Sequence, residues 1–578
     1  GLTMVISIFI SAVNALTLSS MLCALLLKVH NNEEHNKKGF LGRFFEKFNI
    51  AFEAVTVRYI KVVEVFVKKK WLVVAVFAIS GGIFYWANST MKSGFVPTED
   101  RGFLMMNIEL APGASMERTF NLAKEVQKRV KGVGGVEDVT IVAGNNIMSG
   151  AGSNNALGFI LLKPFEERTK NKGQSAEEIT KKLFGLVSDV TEAKVIFFQP
   201  PSIPGYGTSS GISFELLDKE GGDSETLAKN TQQFLGELMK RPEIQYAQTS
   251  FNTNYPQYEM TINVAKAKES GITVSSIINT MQGYIGGIYA ADFTKYGKQF
   301  RVMVQALPNN RNSVEDLSKM YVRTSTGAMA PISQFVSLER VYGPQSLKRH
   351  NLYSSASVSG ANAAGYSTGD AMNAVREVAA QTLPSGYGID FTGLSREEAN
   401  ASSQTVMIFG LSLLFVYFFL SAQYESYILP LVIIFSLPIG IMGAFLGQNL
   451  AGLENNIYFQ IALIMLVGLL AKNAILIVEF AVQRRMRGDS IVQAALLASK
   501  DRLRPILMTS FAFILGLVPL ITSTGIGYIG NRSIATGAAA GLLIGTFVGL
   551  LVIPVLFVVF QYLQEKVKPI KFENKEEL

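Results

Sequence analysis

The sequence predicts an α-helical membrane bundle with seven spans, joined to a large α+β region outside the membrane. Two observations lead to this class. Only 17% of the 578 residues are charged, against about a quarter in an ordinary soluble chain, and the deficit is concentrated in seven apolar runs. Between the second and third runs lies the polar stretch 92–402, in which strand and helix patterns alternate. It is too long to be a connecting loop.

Seven runs have the roughly 20 apolar residues that a helix needs to cross a bilayer. They cover about 3–27, 71–91, 404–422, 427–449, 457–483, 504–525 and 535–563. Pro505 suits the first turn of the sixth span, because a proline there removes no helical hydrogen bond. We therefore expect membrane segments at 1–28, at 71–91 and, with five helices, at 403–565.

Basic residues predict which side of the membrane each loop occupies. Outside 92–402, most of them lie in alternate loops, which are 28–70, 484–503 and the tail 566–578. The other two short loops hold one arginine between them, Arg532. By the positive-inside rule the basic loops are cytoplasmic. This predicts a cytoplasmic amphipathic linker at 29–70, a cytoplasmic tail, and a location outside the inner membrane for 92–402.

The outer region repeats one order of elements. The first copy, 92–208, begins with the strand GFLMMNIEL and continues through an amphipathic helix with Ser115 as its N-cap. Its order, strand–helix–strand–strand–helix–strand, is that of the ferredoxin-like split βαβ unit. A second copy occupies 209–254 and 341–402, and the interruption at 255–340 predicts a small inserted subdomain. A sensor ectodomain has the same topology, so the topology alone does not give function.

The stretch LLAKNAILIVEF, residues 469–480, places Lys472 inside an apolar span. A charge near the bilayer centre costs roughly 3 kcal/mol. Snorkelling to an interface is disfavoured because Lys472 lies about 15 and about 11 residues from the two ends of its span. Glu479 is too far for direct pairing, roughly 10 Å along the axis. Since the other spans lack Asp and Glu in their cores, we infer an acidic partner on another segment.

The neighbouring span contributes further polar residues. Arg502 and Thr509 are seven positions apart, so they lie on the same side of a helix. Together with Lys472 they predict a short polar column through an apolar bundle, which is typical of a proton path. In the last span, small residues recur every four positions, at Gly537, Gly541, Gly545 and Gly549. This pattern predicts a seam where another helix approaches closely.

The sequence does not support binding of nucleotides, metals or nucleic acid. GIGYIG, residues 525–530, matches the dinucleotide pattern but lies between two predicted spans, not in a βαβ unit. The chain has no Walker A motif. Cys23 is the single cysteine, and no histidine or cysteine has metal-ligand spacing, so we predict no metal site. The net charge of +8 comes without basic runs interleaved with aromatics, which argues against nucleic acid as a partner.

Four segments carry a family resemblance: GLLAKNAILIVEFA, RLRPILMTSFAFILGLVPL, PTEDRGFLMMNIELAPGAS and GKQFRVMVQA. Together they resemble the C-terminal half of resistance-nodulation-division efflux pumps, in the hydrophobe/amphiphile exporter branch of AcrB type. The resemblance implies a parent with twelve spans in two repeats, of which this chain holds the last seven. The aspartate pair of such pumps lies on the first half. Lys472 is then the counter-ion of carboxylates outside this chain, which begins with Gly1 and is expected to be a fragment or a processed product.

The resemblance also implies roles for particular residues. Lys472, Arg502 and Thr509 correspond to the proton relay. Phe159 and Phe198 match aromatic positions of the drug pocket. The segment GNNIMSGAG, residues 144–152, corresponds to a loop between substrate pockets, but it departs from the phenylalanine-rich form, and its candidate substrate contacts are Asn145, Asn146, Ile147 and Met148. Gln248 stands where such pumps can have an arginine.

The implied function is secondary active transport, not enzyme catalysis. A drug/proton antiporter of this type needs no cofactor beyond protons as the coupling ion, and it exports hydrophobic or amphiphilic compounds. Its implied location is the inner membrane of a Gram-negative bacterium, with a large periplasmic region. Its implied partners are two further copies in a homotrimer, a periplasmic adaptor protein and an outer-membrane channel, toward which the docking subdomain 255–340 faces.

Two alternatives remain open from the sequence. A metal-ion exporter of the same superfamily needs methionine ligands across the porter cleft, and Met105, Met106 and Met148 are candidates. A membrane sensor or assembly protein without transport activity is the other. Export of a fluorescent dye from cells distinguishes the drug exporter from both.

Overall fold

The computed structural model describes residues 2–26, 40–170, 173–207, 210–363 and 365–569. Parts of the predicted first span, of the linker 29–70 and of the tail 566–578 lie outside these ranges. The chain divides into two compact units. One comprises Gly1–Ala75, Ile475–Leu507 and Leu550–Leu578, and the other comprises Val76–Ala474 and Met508–Gly549.

The α-helices are α1 (Leu2–Asn14), α2 (Ser20–Leu26), α3 (Phe40–Lys68), α4 (Trp71–Thr90), α5 (Met116–Lys131), α6 (Phe165–Thr169), α7 (Ala176–Leu186), α8 (Ser224–Leu238), α9 (Val264–Glu269), α10 (Val274–Met281), α11 (Thr368–Thr382), α12 (Gly393–Tyr424), α13 (Pro430–Leu450), α14 (Ile457–Met486), α15 (Ile491–Ile521) and α16 (Tyr528–Val567). Seven stretches are long and apolar enough to cross a membrane: Val5–Leu25, Trp71–Thr90, Met407–Tyr424, Pro430–Leu450, Ile457–Met486, Ile491–Ile521 and Tyr528–Val567. The number and order of the predicted spans are confirmed.

The start of the sixth span was predicted wrongly. α15 begins at Ile491 and continues through Pro505, so Pro505 is not in its first turn. Hydropathy identifies only the part of a helix that is apolar enough to lie in lipid. It therefore does not predict the helical turns that extend beyond the bilayer. These extra turns are held by packing, because Ala494, Ala495 and Ala498 are fully buried.

The strands are β1 (Phe103–Leu110), β2 (Val136–Asn146), β3 (Gly150–Leu162), β4 (Ala193–Phe198), β5 (Ile212–Asp218), β6 (Ile244–Thr249), β7 (Tyr255–Ile262), β8 (Ile288–Lys295), β9 (Lys298–Val304), β10 (Tyr321–Arg323), β11 (Met329–Pro331), β12 (Val336–Gly343), β13 (Lys348–His350), β14 (Tyr353–Asn362) and β15 (Tyr387–Phe391). The first sheet has the antiparallel order β2-β3-β1-β4. Together with α5 and α7 it forms the predicted ferredoxin-like unit. Ser115 is the N-cap of α5, since its side chain accepts the Arg118 amide at 3.3 Å.

The second sheet repeats this topology with an interruption. β14 lies between β6 and β5, and β15 pairs with the other edge of β5. α8 and α11 contribute to its core, where the Phe214 ring meets Phe234 and Phe391 edge to face. The inserted segment is bounded by the antiparallel pair β7–β12 and has a small core of its own. The hairpin β8–β9 projects from it with nearly all side chains exposed.

Gly541 and Gly545 of α16 lie against α13, so another helix approaches this seam closely, as the spacing predicted. A Cβ atom on Gly541 would lie 2.9 Å from the carbonyl oxygen of Gly440, and one on Gly545 would lie 3.1 Å from the Cα of Gly440. The two backbones therefore approach too closely for larger side chains. In the most apolar stretches of α13 and α16, 61% and 67% of the residues are buried. In the corresponding stretch of α15, 11% are buried. Most of the surface of α15 is therefore not covered by other described helices.

Candidate functional site

Lys472 lies on the outside of the described bundle. It occupies the middle of α14, and its side chain is exposed, while its neighbours Ala471 and Asn473 are buried. Within the described residues no carboxylate lies within the 4.0 Å of an ion pair from its ammonium group. Glu479 instead accepts a hydrogen bond from Gln483 at 3.1 Å. A charge at this depth requires a polar partner, so this surface of α14 is a candidate site for an acidic group.

A buried polar cluster lies directly beside Lys472. Asn473 donates through Nδ2 to Ser510 Oγ on α15 and to Thr546 Oγ1 on α16, both at 3.1 Å. The Thr546 hydroxyl donates to Ser510 Oγ, also at 3.1 Å. All three side chains are at least nine-tenths buried. The sequence analysis did not predict this cluster. The pattern that could have indicated it is an asparagine immediately after Lys472 and a serine immediately after Thr509.

The three predicted relay residues are placed differently. Lys472 and Thr509 are both exposed, and they precede the hydrogen-bonded pair Asn473 and Ser510, so they lie at one level on neighbouring helices. Arg502 belongs to the other compact unit. There its guanidinium group lies 3.3 Å from the centre of the Phe480 ring, and its buried Nε has no hydrogen-bond partner. A direct contact among the three residues stays a prediction.

The two predicted pocket phenylalanines lie in one row across the first sheet. In the strand register, Met105 of β1 is opposite Phe159 of β3 on one side and Phe198 of β4 on the other. This row is on the face of the sheet that α5 and α7 do not cover, because alternate residues of β1 such as Leu104 and Met106 enter the helix-covered core. Phe159 is 39% exposed and Phe198 is 3% exposed. Only Phe159 therefore has a free ring face.

The segment 144–152 is the tip of a hairpin, whereas the sequence analysis predicted a loop. β2 continues to Asn146 and β3 begins at Gly150. Asn146 closes the turn, since its side-chain oxygen accepts the amides of Met148 at 2.8 Å and Ser149 at 3.3 Å. Ile147 and Met148 fold onto the small core formed by Met105, Leu157 and Phe198.

A cleft of about 980 Å³ lies at the end of β4, where Phe198 lines it together with residues of α7 such as Thr180 and Phe184. Its walls come from both ferredoxin-like units and from the outer ends of the membrane helices, including Phe198, Tyr246, Tyr366, Glu454, Tyr528 and Arg532. Both aromatic and charged side chains contribute to its lining. The cleft has the size and mixed lining of a site for a small amphiphilic molecule.

The methionines of the metal-exporter alternative do not converge. Met105 and Met148 share the small core at the hairpin tip, but Met106 is buried in the helix-covered core on the opposite face of the sheet. Within the described residues no group of three His, Cys, Asp or Glu side chains has the arrangement of a metal site.

Two carboxylates lie close together where the outer region joins the bundle. Thr368 donates its hydroxyl to Glu398 at 2.9 Å. Both Glu454 and Thr368 crowd Gly94, where a Cβ atom would lie 3.0 Å from Glu454 Oε2 and 3.3 Å from Thr368 Oγ1. Burial raises the pKa of Glu398 to about 7, and the nearby charge of Glu454 raises it as well. Burial also raises the pKa of Glu454, while Lys92 opposes this shift. This pair can therefore take up a proton near neutral pH.

Residues 1–561 match the AcrB/AcrD/AcrF family. The chain is 35% identical over 561 residues to the multidrug/solvent efflux pump membrane transporter MepB of Pseudomonas putida, an alignment that covers 96% of this chain and 53% of that protein. It is 37% identical over 564 residues to the solvent-resistant pump membrane transporter SrpB of Pseudomonas putida, covering 97% and 53%. With the multidrug resistance protein MdtF of Escherichia coli K12 it shares 34% identity over 574 residues, covering 98% and 54%.

The chain thus spans about half the length of the curated relatives it matches. Their names describe a multidrug/solvent efflux pump, a solvent-resistant pump and a multidrug resistance protein. By this match over nearly its whole length, the chain belongs to the AcrB/AcrD/AcrF family of resistance-nodulation-division transporters.

Proposed function

We propose that this chain is the C-terminal half of a proton-driven inner-membrane exporter of hydrophobic and amphiphilic compounds. The observation that carries the proposal is Lys472, a mid-membrane cation on an open surface of the bundle. Lipid cannot stabilise such a charge. The surface must therefore be covered by a segment that supplies carboxylates, and a chain of half the relatives' length leaves room for that segment in the other half of the pump.

The polar cluster beside Lys472 supports coupling to protons. Asn473, Ser510 and Thr546 join three helices by hydrogen bonds, so a shift of Lys472 is transmitted to its neighbours through a rigid contact. A proton that neutralises the carboxylate partner releases the lysine, which is a local electrostatic event with a structural consequence. One charge crossing 100 mV supplies about 2.3 kcal/mol for this step. Thr509 lies at the same level and completes the proposed relay with Arg502.

The outer region supplies the proposed substrate path. The cleft of about 980 Å³ borders Phe198, and beyond it lies the row with Met105 and Phe159. Apolar burial is the main attraction, at roughly 1.5–3 kcal/mol for a large side chain or an equivalent part of a ligand. Relatives named for multidrug, solvent and toluene efflux fit this chemistry. Ile147, Met148 and the backbone of Asn145 and Asn146 form the adjacent hairpin tip.

The proposed partners are two more copies of the pump, a periplasmic adaptor and an outer-membrane channel. The hairpin β8–β9 supports this assembly, because it carries exposed large apolar side chains: Tyr289, Phe293, Tyr296, Phe300, Met303 and Val304. Exposed apolar surface of this kind marks a protein interface. A periplasmic location of the inserted segment brings that interface to the side facing the outer membrane.

Dye export by the complete pump tests the proposal. The chain is produced with the N-terminal half of its parent pump in bacteria that lack their own exporters, and accumulation of a fluorescent amphiphilic dye is followed before and after a protonophore is added. We expect low accumulation that rises to the level of the empty strain when the proton gradient collapses. Equal accumulation in the two strains, with the pump present in the membrane, contradicts the proposal; so does export that survives the protonophore.

A further inference from the structure

The long helix α3 packs one of its sides against membrane helices of its own compact unit. Thr56, Val63 and Val67 on this side are buried. Between them, the Tyr59 hydroxyl donates a hydrogen bond to the backbone carbonyl of Leu550 on α16 at 2.8 Å. Leu550 belongs to the apolar span of α16. The middle of α3 therefore lies beside a part of the chain that fits lipid, and its outward side faces the same surroundings.

The outward side of α3 carries an apolar stripe. Phe48, Val55 and Val62 follow each other at intervals of seven residues, which is close to two helical turns, so they lie on one side of the helix. All three side chains are exposed. Only two residues separate α3 from α4, whose first residue, Trp71, is exposed. Because α4 can cross a membrane and tryptophan is typical of the membrane interface, the stripe is placed where head groups meet acyl chains.

Basic residues form a second stripe of α3 beside the apolar one. Its members are Lys47, Arg58, Lys61 and Lys68, which are spaced by eleven, three and seven residues and are all exposed. At 3.6 residues per turn they fall within about 80° of one another around the helix. Lys68 also forms an ion pair with Glu64 at 2.7 Å. A long basic side chain lays its aliphatic part on an apolar surface and extends its charge to the polar boundary, so the two stripes suit one membrane-facing surface.

The acidic residues of α3 lie on the other flank. Glu46, Glu53 and Glu64 are spaced by seven and eleven residues, and the helical geometry places them about 170° from the apolar stripe. Among the described residues 45–68, no acidic side chain therefore lies between the apolar and the basic stripes. A neutral lipid satisfies only the apolar stripe, whereas an anionic head group satisfies the cations as well.

We propose that the apolar and basic stripes of α3 form a binding surface for anionic phospholipids of the surrounding bilayer. An acyl chain lies on Phe48, Val55 and Val62. The phosphate of the head group accepts hydrogen bonds from Arg58 and Lys61, which are charge-assisted and therefore stronger than bonds between neutral groups. Basic segments next to a span attract such lipids electrostatically. The inference goes beyond the proposed export function and does not depend on it.

Photoreactive lipids test the inference. The complete pump is placed in bilayers with equal amounts of phosphatidylglycerol (anionic) and phosphatidylcholine (zwitterionic), and one of the two carries a photoreactive group in its acyl chain. After illumination, labelling of residues 45–68 is measured by mass spectrometry and compared between the two lipids. We expect phosphatidylglycerol to label this segment about 25-fold more, which is about fivefold for each of the two contacting cations. Inorganic phosphate added at constant ionic strength should leave this ratio unchanged, because the ligand is a lipid and not the free anion.

Charge-neutralising variants locate the contact. Arg58→Gln and Lys61→Gln should each lower the labelling ratio about fivefold, and the double variant should bring it close to one. Glu53→Gln, the matched change on the opposite flank of α3, should not lower the ratio. Lys128→Gln, an exposed change on α5, should leave it at the wild-type value. The thermal unfolding midpoint is measured for every variant, so that a loss of folded pump is recognised.

Three results would overturn the proposal. Equal labelling by the two lipids in the wild-type pump would show that the cations do not select a head group. A wild-type ratio in the folded double variant would show that Arg58 and Lys61 do not contact it. If neither lipid labels the segment, another part of the pump covers α3. Because the readout is labelling and not export, a failure of the proposed function remains distinguishable from a failure of this inference.

Discussion

Asn473 of α14 donates a hydrogen bond to Ser510 of α15 at 3.1 Å, and each of these residues directly follows a predicted relay residue. Lys472 and Thr509 are therefore held at one level on two neighbouring helices, on the open side of the bundle. The buried pair fixes the helix register, and the exposed pair faces outward. This division lets Lys472 face the proposed partner segment while its helix stays hydrogen-bonded to α15.

Replacing Lys472 tests the relay. In the complete pump, Lys472→Ala removes the mid-span cation that is proposed to pair with the carboxylates, so their pKa values rise and they stay protonated. We expect drug resistance to fall to the level of cells without the pump, at normal membrane content. Lys500→Ala, at an exposed position of α15, should keep resistance. Full resistance with Lys472→Ala would mean that the lysine takes no part in coupling.

The isolated chain should not transport. Its relay lacks carboxylates near Lys472 within the described residues, so a proton has no acceptor there. Purified and placed in vesicles with an imposed pH gradient, the chain should show no proton-coupled dye movement above that of empty vesicles. Gradient-driven dye uptake by the chain alone would refute its assignment as half of a pump.

The Asn473 cluster should contribute to stability. Asn473→Ala leaves the hydroxyls of Ser510 and Thr546 with fewer partners in a buried setting, at a cost of about 1–3 kcal/mol. We expect a lower thermal unfolding midpoint in detergent. The double variant with Thr546→Val measures the coupling between the two side chains: a smaller loss than the sum of the single changes is expected, and strict additivity would argue against a shared network.

The two pocket phenylalanines should respond differently to substitution. Phe198 is 3% exposed, so Phe198→Ala leaves a cavity and costs about 3–5 kcal/mol of stability, in addition to weakening an apolar drug about tenfold. Phe159 is 39% exposed, and Phe159→Ala should weaken drug resistance with little change in the unfolding midpoint. Unchanged resistance to every exported compound in both variants would place the pocket elsewhere.

Stability should depend on pH through Glu398. Its pKa in the folded protein is about 7, against 4.5 for an ordinary glutamate, so the folded state binds the proton more tightly. The contribution is fully present below about pH 4.5 and is lost as the pH rises through about 7. We expect the unfolding midpoint of the wild type to fall over this window and that of Glu398→Gln to fall less. Glu397→Gln, exposed and adjacent, is the control; equal slopes in all three proteins would rule out the shifted pKa.

Local properties of the sequence were sufficient for the outline of the molecule. The seven spans follow from the length of apolar runs, since a bilayer imposes the same thickness on each helix. The ferredoxin-like order follows from the alternation of strand and helix patterns along the sequence. Lys472 is recognisable because it is a charged residue inside an apolar span. Even the helix seam at Gly541 was visible, because only small residues allow close approach of backbones.

The three-dimensional arrangement decided what the side chains do. Phe159 and Phe198 both lie in strands of one sheet, but Phe198 packs in the small core with Ile147 and Met148 of the hairpin tip, whereas Phe159 stays 39% exposed. The sequence did not pair Asn473 with Ser510, because hydrogen bonds between helices depend on rotation and register that periodicity leaves free. The sequence determined which elements exist because those are set by interactions along the chain; the sites depend on contacts between distant segments, which only the packed fold defines.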